Sequence, residues 1–232
     1  MERVMEQATL KLRVNDDRGP VEGIYGAGEH SLAGIFAMQG ALMRVERNVE
    51  VYGEEEPAEY LYQVVSGAVR TYKVLQDGRR QIGAFHLPGD IFGLEADEMH
   101  AFSAEAVSDC TLRIARRASI MALATRDGDL ATELWQRTAE AFRRAQEHML
   151  LLGRKNAEER VASFLLRMAA RTAAGQAIEL PMSRQDIADY LGLTIETVSR
   201  TLTILENRAA IELPSSRRIF VRSRSSLQQL NA

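Results

Sequence analysis

The chain has 232 residues, enough for one large domain or two smaller ones. A hydrophobic fraction of 46% and a charged fraction of 26% are those of an ordinary soluble globular protein, and a net charge of −3 excludes a generically basic nucleic-acid binder. The single cysteine excludes an internal disulfide or a multi-cysteine metal centre, and apolar runs such as Met149–Leu152 are far too short to cross a bilayer.

Residues 1–30 are polar and weakly patterned, which predicts partial disorder. They lack the apolar stretch of a signal peptide, so the cytoplasm is the default location. Ser31–Met43 reads as a short helix. From Arg44 to about Arg116 the texture changes to short β-prone runs: Tyr60–Val65, Ala68–Leu75, Gln81–Phe85 and Thr111–Ile114. Gly53, Gly67, Asp77-Gly78 and Pro88-Gly89-Asp90 punctuate them at the interval of a compact antiparallel barrel or sandwich.

After Asp127-Gly-Asp129 the period changes, and the run to Leu152 has neither proline nor glycine. Leu134, Thr138, Ala141 with Phe142, Ala145, Met149 and Leu152 recur at the three-four spacing of a coiled-coil seam. Such a helix spans roughly 35–40 Å. It either packs as an amphipathic core helix of one protomer or forms a dimer seam. The seam is the better reading, because little else is at hand for it to pack on. Gly153 and Asn156 interrupt it, helix Ala157–Arg171 follows, and the loop Thr172–Pro181 leads onward.

Residues 183–206, SRQDIADYLGLTIETVSRTLTILE, read as a helix-turn-helix. Arg184, Ala188, Gly192 and Val198 occupy its tightest positions: Ala188 where the helices cross, Gly192 in a turn that needs positive φ, Val198 between the helices. Ser183 and Asp186 form a capping-box pattern, and Thr194 is a suitable N-cap. On the second helix Val198, Leu202 and Leu205 point one way, while Glu196, Ser199, Arg200 and Thr203 point the other. That outward face suits a major groove, with Ile195 at its start. Arg200 can fork onto guanine O6 and N7, and Glu196 can accept from cytosine N4. Alone, a Glu and an Arg four apart would also suit a solvated i,i+4 ion pair.

Ile211-Glu-Leu213 and Ile219-Phe-Val221 read as two strands around a turn, making a winged helix with Arg217 and Arg218 at its tip. Ser183, Gln185, Thr194 and Thr197 around the helix starts are candidates for phosphate contact, together with those two arginines. Met182–Ala232 holds seven Arg and no Lys against five acids, so positive charge is local to this end.

The β domain, seam helix and winged helix-turn-helix together resemble the cyclic-AMP receptor protein and FNR superfamily over residues 44–222. FHLPGDIFGLE (85–95) and TIETVSR (194–200) are the specific motifs, and the E-x-x-S-R of Glu196, Ser199 and Arg200 is most similar to the FixK type. The resemblance implies an α+β fold: an N-terminal extension (1–43), a cyclic-nucleotide-binding-like β roll or jelly roll (44–125), a dimerisation helix (126–153) and a winged helix-turn-helix (154–232). It further implies a homodimeric activator that binds TTGAT-N4-ATCAA-like palindromes in double-stranded DNA and recruits RNA polymerase. Arg79 and Arg80 match family positions that touch polymerase, as does the 172–176 loop. FixK-type regulators are tied to low-oxygen respiration, nitrogen fixation or denitrification.

Departures from the wider superfamily are informative. After Gly93 the chain reads LEADEMHAFSAEAV, where Phe102 precedes Ser103 and no arginine stands ready for a cyclic-nucleotide phosphate. Glu95, Asp97 and Glu98 would repel one. The N-terminus lacks the cysteines of an iron–sulfur cluster. Residues after the turn do not match the haem ligands of the carbon-monoxide sensors, and His86 reads as a surface or packed residue. Cys110 reads as a small core residue. Ser183 leaves no thiol beside DNA. A regulator without cofactor is therefore expected, the alternative being a ligand- or haem-gated sensor of the same fold. Enzyme motifs are missing: there is no nucleophile signature, no H-E-x-x-H and no phosphate-cradling glycine loop.

Overall fold

The computed structural model describes residues 31–172 and 177–231, so the expected disorder of 1–30 and residues 173–176 of the predicted loop lie outside the described residues. The chain forms two compact units. Among the described residues, one contains Ser31–Thr71 with Phe85–Ala141, the other Tyr72–Ala84 with Phe142–Thr172 and Ala177–Asn231. The hairpin residues Tyr72–Ala84 therefore group with the C-terminal unit.

The first unit opens with helix α1 (Leu32–Gln39), capped by Ser31 Oγ accepting from the Gly34 N–H. The predicted helix Ser31–Met43 is shorter than expected. Gly40 turns extended (ψ 129°) while its N–H still caps Phe36, and Ala41–Val45 becomes strand β1. So short a segment, apolar except for Arg44, suits either state, and pairing with a neighbouring strand decides it.

Strands β2 (Glu50–Tyr52), β3 (Tyr60–Ser66), β4 (Val69–Val74), β5 (Arg80–His86), β6 (Ile91–Phe92), β7 (Ser103–Ala106) and β8 (Cys110–Arg116) follow. They form two four-stranded sheets, ordered β1-β8-β3-β6 and β2-β7-β4-β5. Strand β8 pairs antiparallel with β1, Ala41 opposite Ile114, and with β3, Tyr62 also opposite Ile114. Alternation along β8 turns Cys110, Leu112 and Ile114 into a core shared with Val45, Tyr52, Tyr62, Val64, Val69 and Phe92. Each such side chain contributes about 1.5–3 kcal/mol on burial. β1, β2, β6 and β7 are too short or too polar to stand out from single-sequence patterning.

A second cluster joins α1 to helix α2 (Arg117–Ala124) and to the start of α3 (Gly128–Arg154): Leu32, Ile35, Phe36, Leu61, Ile120, Leu130 and Leu134. Glu133 Oε2 accepts from the Leu32 N–H at 2.8 Å. The α3 helix runs through Gly153 to Arg154 before it stops. Asn156 then caps α4 (Ala157–Thr172) reciprocally: its Oδ1 accepts from the Glu159 N–H, and Glu159 accepts from the Asn156 N–H.

In the second unit α4 buries Val161, Phe164, Leu165 and Met168. Helices α5 (Arg184–Leu191) and α6 (Ile195–Asn207) follow, then strands β10 (Ile211–Glu212) and β11 (Arg218–Val221) and helix α7 (Arg224–Asn231), which packs on α4. The predicted loop after α4 contains a further strand, β9 (Ala177–Glu179), so the wing sheet has order β10-β11-β9. Among the described residues no helix is long and apolar enough to cross a membrane.

Candidate nucleic-acid interface

The geometry of α5 and α6 follows from their caps. Ser183 Oγ accepts from the Asp186 N–H at 3.1 Å and donates to Asp186 Oδ2 at 2.7 Å, while the Ser183 N–H donates to Oδ2 at 2.9 Å. The capping box is complete. Gly192 ends α5 in the left-handed region at φ 61°. Thr194 Oγ1 accepts from the Thr197 N–H at 3.2 Å and so starts α6. Ala188 and Val198 are fully buried at the crossing, with Leu202 and Leu205 beside them.

The opposite face of α6 is open. Ile195, Glu196, Ser199, Arg200 and Thr203 are exposed on it. No ion pair joins Glu196 to Arg200 among the described residues. The Glu196 carboxyl is held below the usual carboxylate range, first by its own backbone N–H and then by the Thr194 hydroxyl, with a smaller contribution from Arg200. A carboxylate tethered at a helix N-terminus and a guanidinium one turn on are therefore both available to a ligand.

The candidate phosphate contacts divide by what already engages them. Thr194 and Thr197 sit at the α6 start, their hydroxyls 3.1 Å apart. Gln185 is exposed and donates one Nε2 hydrogen to Asp189 Oδ1 at 2.6 Å. The Ser183 hydroxyl is committed to Asp186. At the wing tip Arg217 is exposed, whereas Arg218 pairs with Glu179 at 3.1 Å, so part of its charge is already met. Arg184 begins α5 with Nη1 buried; burial lowers its pKa, and Glu206 only partly offsets this.

The two hairpin arginines behave differently. Arg79 is exposed and pairs with Asp77 of its own turn at 2.8 Å. Arg80 turns inward: Nε donates to Asp189 Oδ2 and Nη2 to Asp186 Oδ1, each at 2.8 Å. Of the two arginines expected to face polymerase, Arg79 is exposed and Arg80 is engaged by two carboxylates. A cleft of about 910 Å³ lies here, walled by Arg79, Arg80 and Gln81 and by Gln185, Asp189 and Thr194–Thr197.

Along α3, Thr138, Ala141, Phe142, Ala145 and Met149 are exposed and Leu152 is half-buried. Leu134 is not on this surface; it is buried within the first unit's own core. Its neighbour Trp135, which sequence spacing passed over, is 73% exposed, and Phe142 and Met149 are 64% and 65% exposed. Trp135, Phe142 and Met149 recur every seven residues, with Thr138, Ala145 and Leu152 between them at heptad offsets.

Comparison with known proteins places this geometry. A Crp-like helix-turn-helix domain matches residues 159–230, and a cyclic nucleotide-binding domain matches residues 42–127. The nitrogen fixation regulation protein FixK of Azorhizobium caulinodans is 53% identical over 205 residues, 86% of this chain and 83% of its own. That of Rhizobium meliloti is 45% identical over 78% of this chain and 82% of its own. The solved structure of FixK2 from Bradyrhizobium japonicum matches with TM-score 0.82 and 52% identity, covering 84% of this chain and 98% of that one. The chain belongs to the FixK group of the cyclic-AMP receptor protein and FNR family. It is a transcription regulator with a helix-turn-helix domain.

Within this FixK-type chain the β-roll interior is filled by rings. Tyr52 stacks on His100 at 3.5 Å, Tyr62 on Phe92 at 5.1 Å, and His86 on Phe92 at 4.7 Å. Burial raises the Tyr52 and Tyr62 hydroxyls well above the ordinary phenol value. The acidic stretch after Gly93 is anchored by Arg117, whose guanidinium donates to the carbonyls of Asp97 and Ala96. Cys110 is buried, and burial, with Asp109 nearby, pushes its thiol up to about 11. That is the opposite of an activated thiolate.

Proposed function

We propose that this protein is a homodimeric activator that reads TTGAT-N4-ATCAA-like inverted repeats. Glu196 and Arg200 read the two bases of a G·C pair, flanked by Ser199 and Ile195. Gln185, Thr194, Thr197 and Arg217 meet phosphates, with Ser183 and Arg218 adjacent to them. The single observation that carries the reading is the open α6 face, where Glu196 is held ionised and Arg200 is left unbridged. The heptad face Trp135, Thr138, Phe142, Ala145, Met149 and Leu152 fits a second copy, whose twofold repeats the readout on the other half-site. Arg79, exposed at the hairpin tip, is the candidate polymerase contact; Arg79→Ala lowers transcription more than DNA affinity.

The ring-filled β roll and the acidic 95–98 stretch support binding without cyclic nucleotide, and a single, buried cysteine supports binding without a thiolate-held cluster in this chain. The relatives' names point to genes of nitrogen fixation. Fluorescence anisotropy tests the reading, using the inverted repeat and a scrambled duplex, each with and without cyclic AMP. Selective binding unaffected by cyclic AMP is expected; failure to prefer the repeat without an additive counts against it. The match to a cyclic nucleotide-binding domain favours a second reading, a ligand- or haem-gated sensor. Stoichiometric haem uptake with a Soret band would select it.

A further inference from the structure

Two carboxylates of α5, three residues apart, are taken out of water together: the side chains of Asp186 and Asp189 are only 5% and 13% exposed. Like charges so placed repel and lose hydration. Arg80 reaches both from the start of β5, with its guanidinium 5.5 Å over the Tyr72 ring. The neighbouring Gln81 Nε2 donates to the Tyr190 carbonyl at 3.3 Å, so two consecutive hairpin residues grip the same helix.

The far oxygen of each carboxylate holds a DNA-facing group. Asp186 Oδ2 accepts from the Ser183 N–H and hydroxyl, which fixes the α5 cap. Asp189 Oδ1 accepts from Gln185 Nε2 and fixes the orientation of that side chain. The chain Ser183–Asp186–Arg80–Asp189–Gln185 is thus continuous, and Arg80 is its centre. Arg80 also neutralises Asp189, which lines the cleft beside Thr194 and Thr197 and would otherwise set a negative charge near DNA phosphate.

We infer that Arg80 is a positioning residue for DNA binding, orienting Ser183 and Gln185 through Asp186 and Asp189 and masking Asp189. The inference rests on the proposed DNA-binding reading. Arg80 meets carboxylates and not phosphate, and that separates it from Arg217 and from the polymerase role expected of Arg79.

Anisotropy on the TTGAT-N4-ATCAA duplex tests it with Arg80→Ala, Asp189→Asn and the double variant, well below the unfolding temperature. Arg80→Ala weakens binding about tenfold when Asp189 is present, but less than about threefold in the Asp189→Asn background. The slope of log affinity against log salt stays at the wild-type value, whereas loss of a direct phosphate contact would reduce it by about 1. Equal losses in both backgrounds, no loss at all, or a reduced salt slope would overturn the assignment. Where Arg80→Ala cannot be purified folded, Arg80→Lys replaces it, since it keeps charge but cannot fork around two carboxylates. A loss of about threefold that shrinks in the Asp189→Asn background is then expected, and a loss undiminished there overturns the assignment. Wild-type protein that binds a scrambled duplex equally well defeats the DNA reading itself, which this comparison shows separately.

Discussion

His148 of α3 donates from Nε2 to the backbone carbonyl of Tyr190 at 2.8 Å, and the imidazole lies stacked 4.1 Å above the Tyr190 ring. The end of the long helix is thereby tied to α5. Tyr190 is held from the other side as well, its hydroxyl accepting from Arg167 Nη1. The helix that carries the candidate dimer face and the helix that supports α6 are joined by this buried contact.

This contact makes stability depend on pH. Burial is the largest cause lowering the His148 pKa from the ordinary 6.5; hydrogen bonds to the Tyr190 and Gly83 backbones oppose it, and Arg167 reinforces it. The unfolded chain takes up a proton near pH 6.5, and the folded chain resists until lower pH. Stability from this group is therefore complete above about pH 7 and declines as pH falls below the unfolded value. His148→Gln costs about 1–3 kcal/mol at pH 7.5. Urea titrations at pH 7.5 and pH 5.5 check it: the gap between wild type and variant should narrow on acidification, and a constant gap defeats the explanation.

Gly192 carries a backbone prediction. At φ 61° it lies where a Cβ is strained, and an added Cβ would stand 3.3 Å from Leu152 Cδ2 and 3.5 Å from Arg160 Nη1. Gly192→Ala should destabilise the fold by about 1–2 kcal/mol. Thermal unfolding measures this, and a variant as stable as wild type would mean that the turn relaxes freely.

Much of the interface is local chemistry, and local chemistry is readable. The Ser183–Asp186 box, the Thr194 cap and Gly192 at positive φ are each fixed by a few adjacent residues. What sequence misses depends on distant partners. Ala41–Val45 becomes a strand because β8 pairs with it, and Ala177–Glu179 because β11 does. Leu134, expected on the seam, is buried instead because α1, 101 residues away in sequence, covers that side of α3; the Leu32 N–H on Glu133 marks the spot. Arg80 reads from sequence as an outward-facing polymerase contact until Asp186 and Asp189 are seen beside it.

The heptad face of α3 predicts what assembly requires. Phe142 is 64% exposed in a single chain, and in the proposed dimer it is buried twice over. Phe142→Glu forfeits about 3–6 kcal/mol of apolar burial for the two copies and sets two carboxylates face to face. Light scattering should show monomers at concentrations where the wild type is dimeric, with the second unit still folded. A variant that stays dimeric would move the seam elsewhere.

Arg200 and Arg217 separate reading from holding. Arg200 lies on the open α6 face, where a forked contact to guanine discriminates among bases. Arg200→Ala should lose roughly 1–3 kcal/mol per half-site and relax the guanine preference. Arg217 sits at the wing tip, beyond the Glu179 pair that engages Arg218, and suits a phosphate. Arg217→Ala should weaken repeat and scrambled duplexes alike and lower the salt slope by about 1. Titrating both variants on both duplexes at several salt concentrations gives the answer. If Arg217→Ala alters base preference while Arg200→Ala weakens every sequence equally, then the wing reads DNA and α6 only holds it.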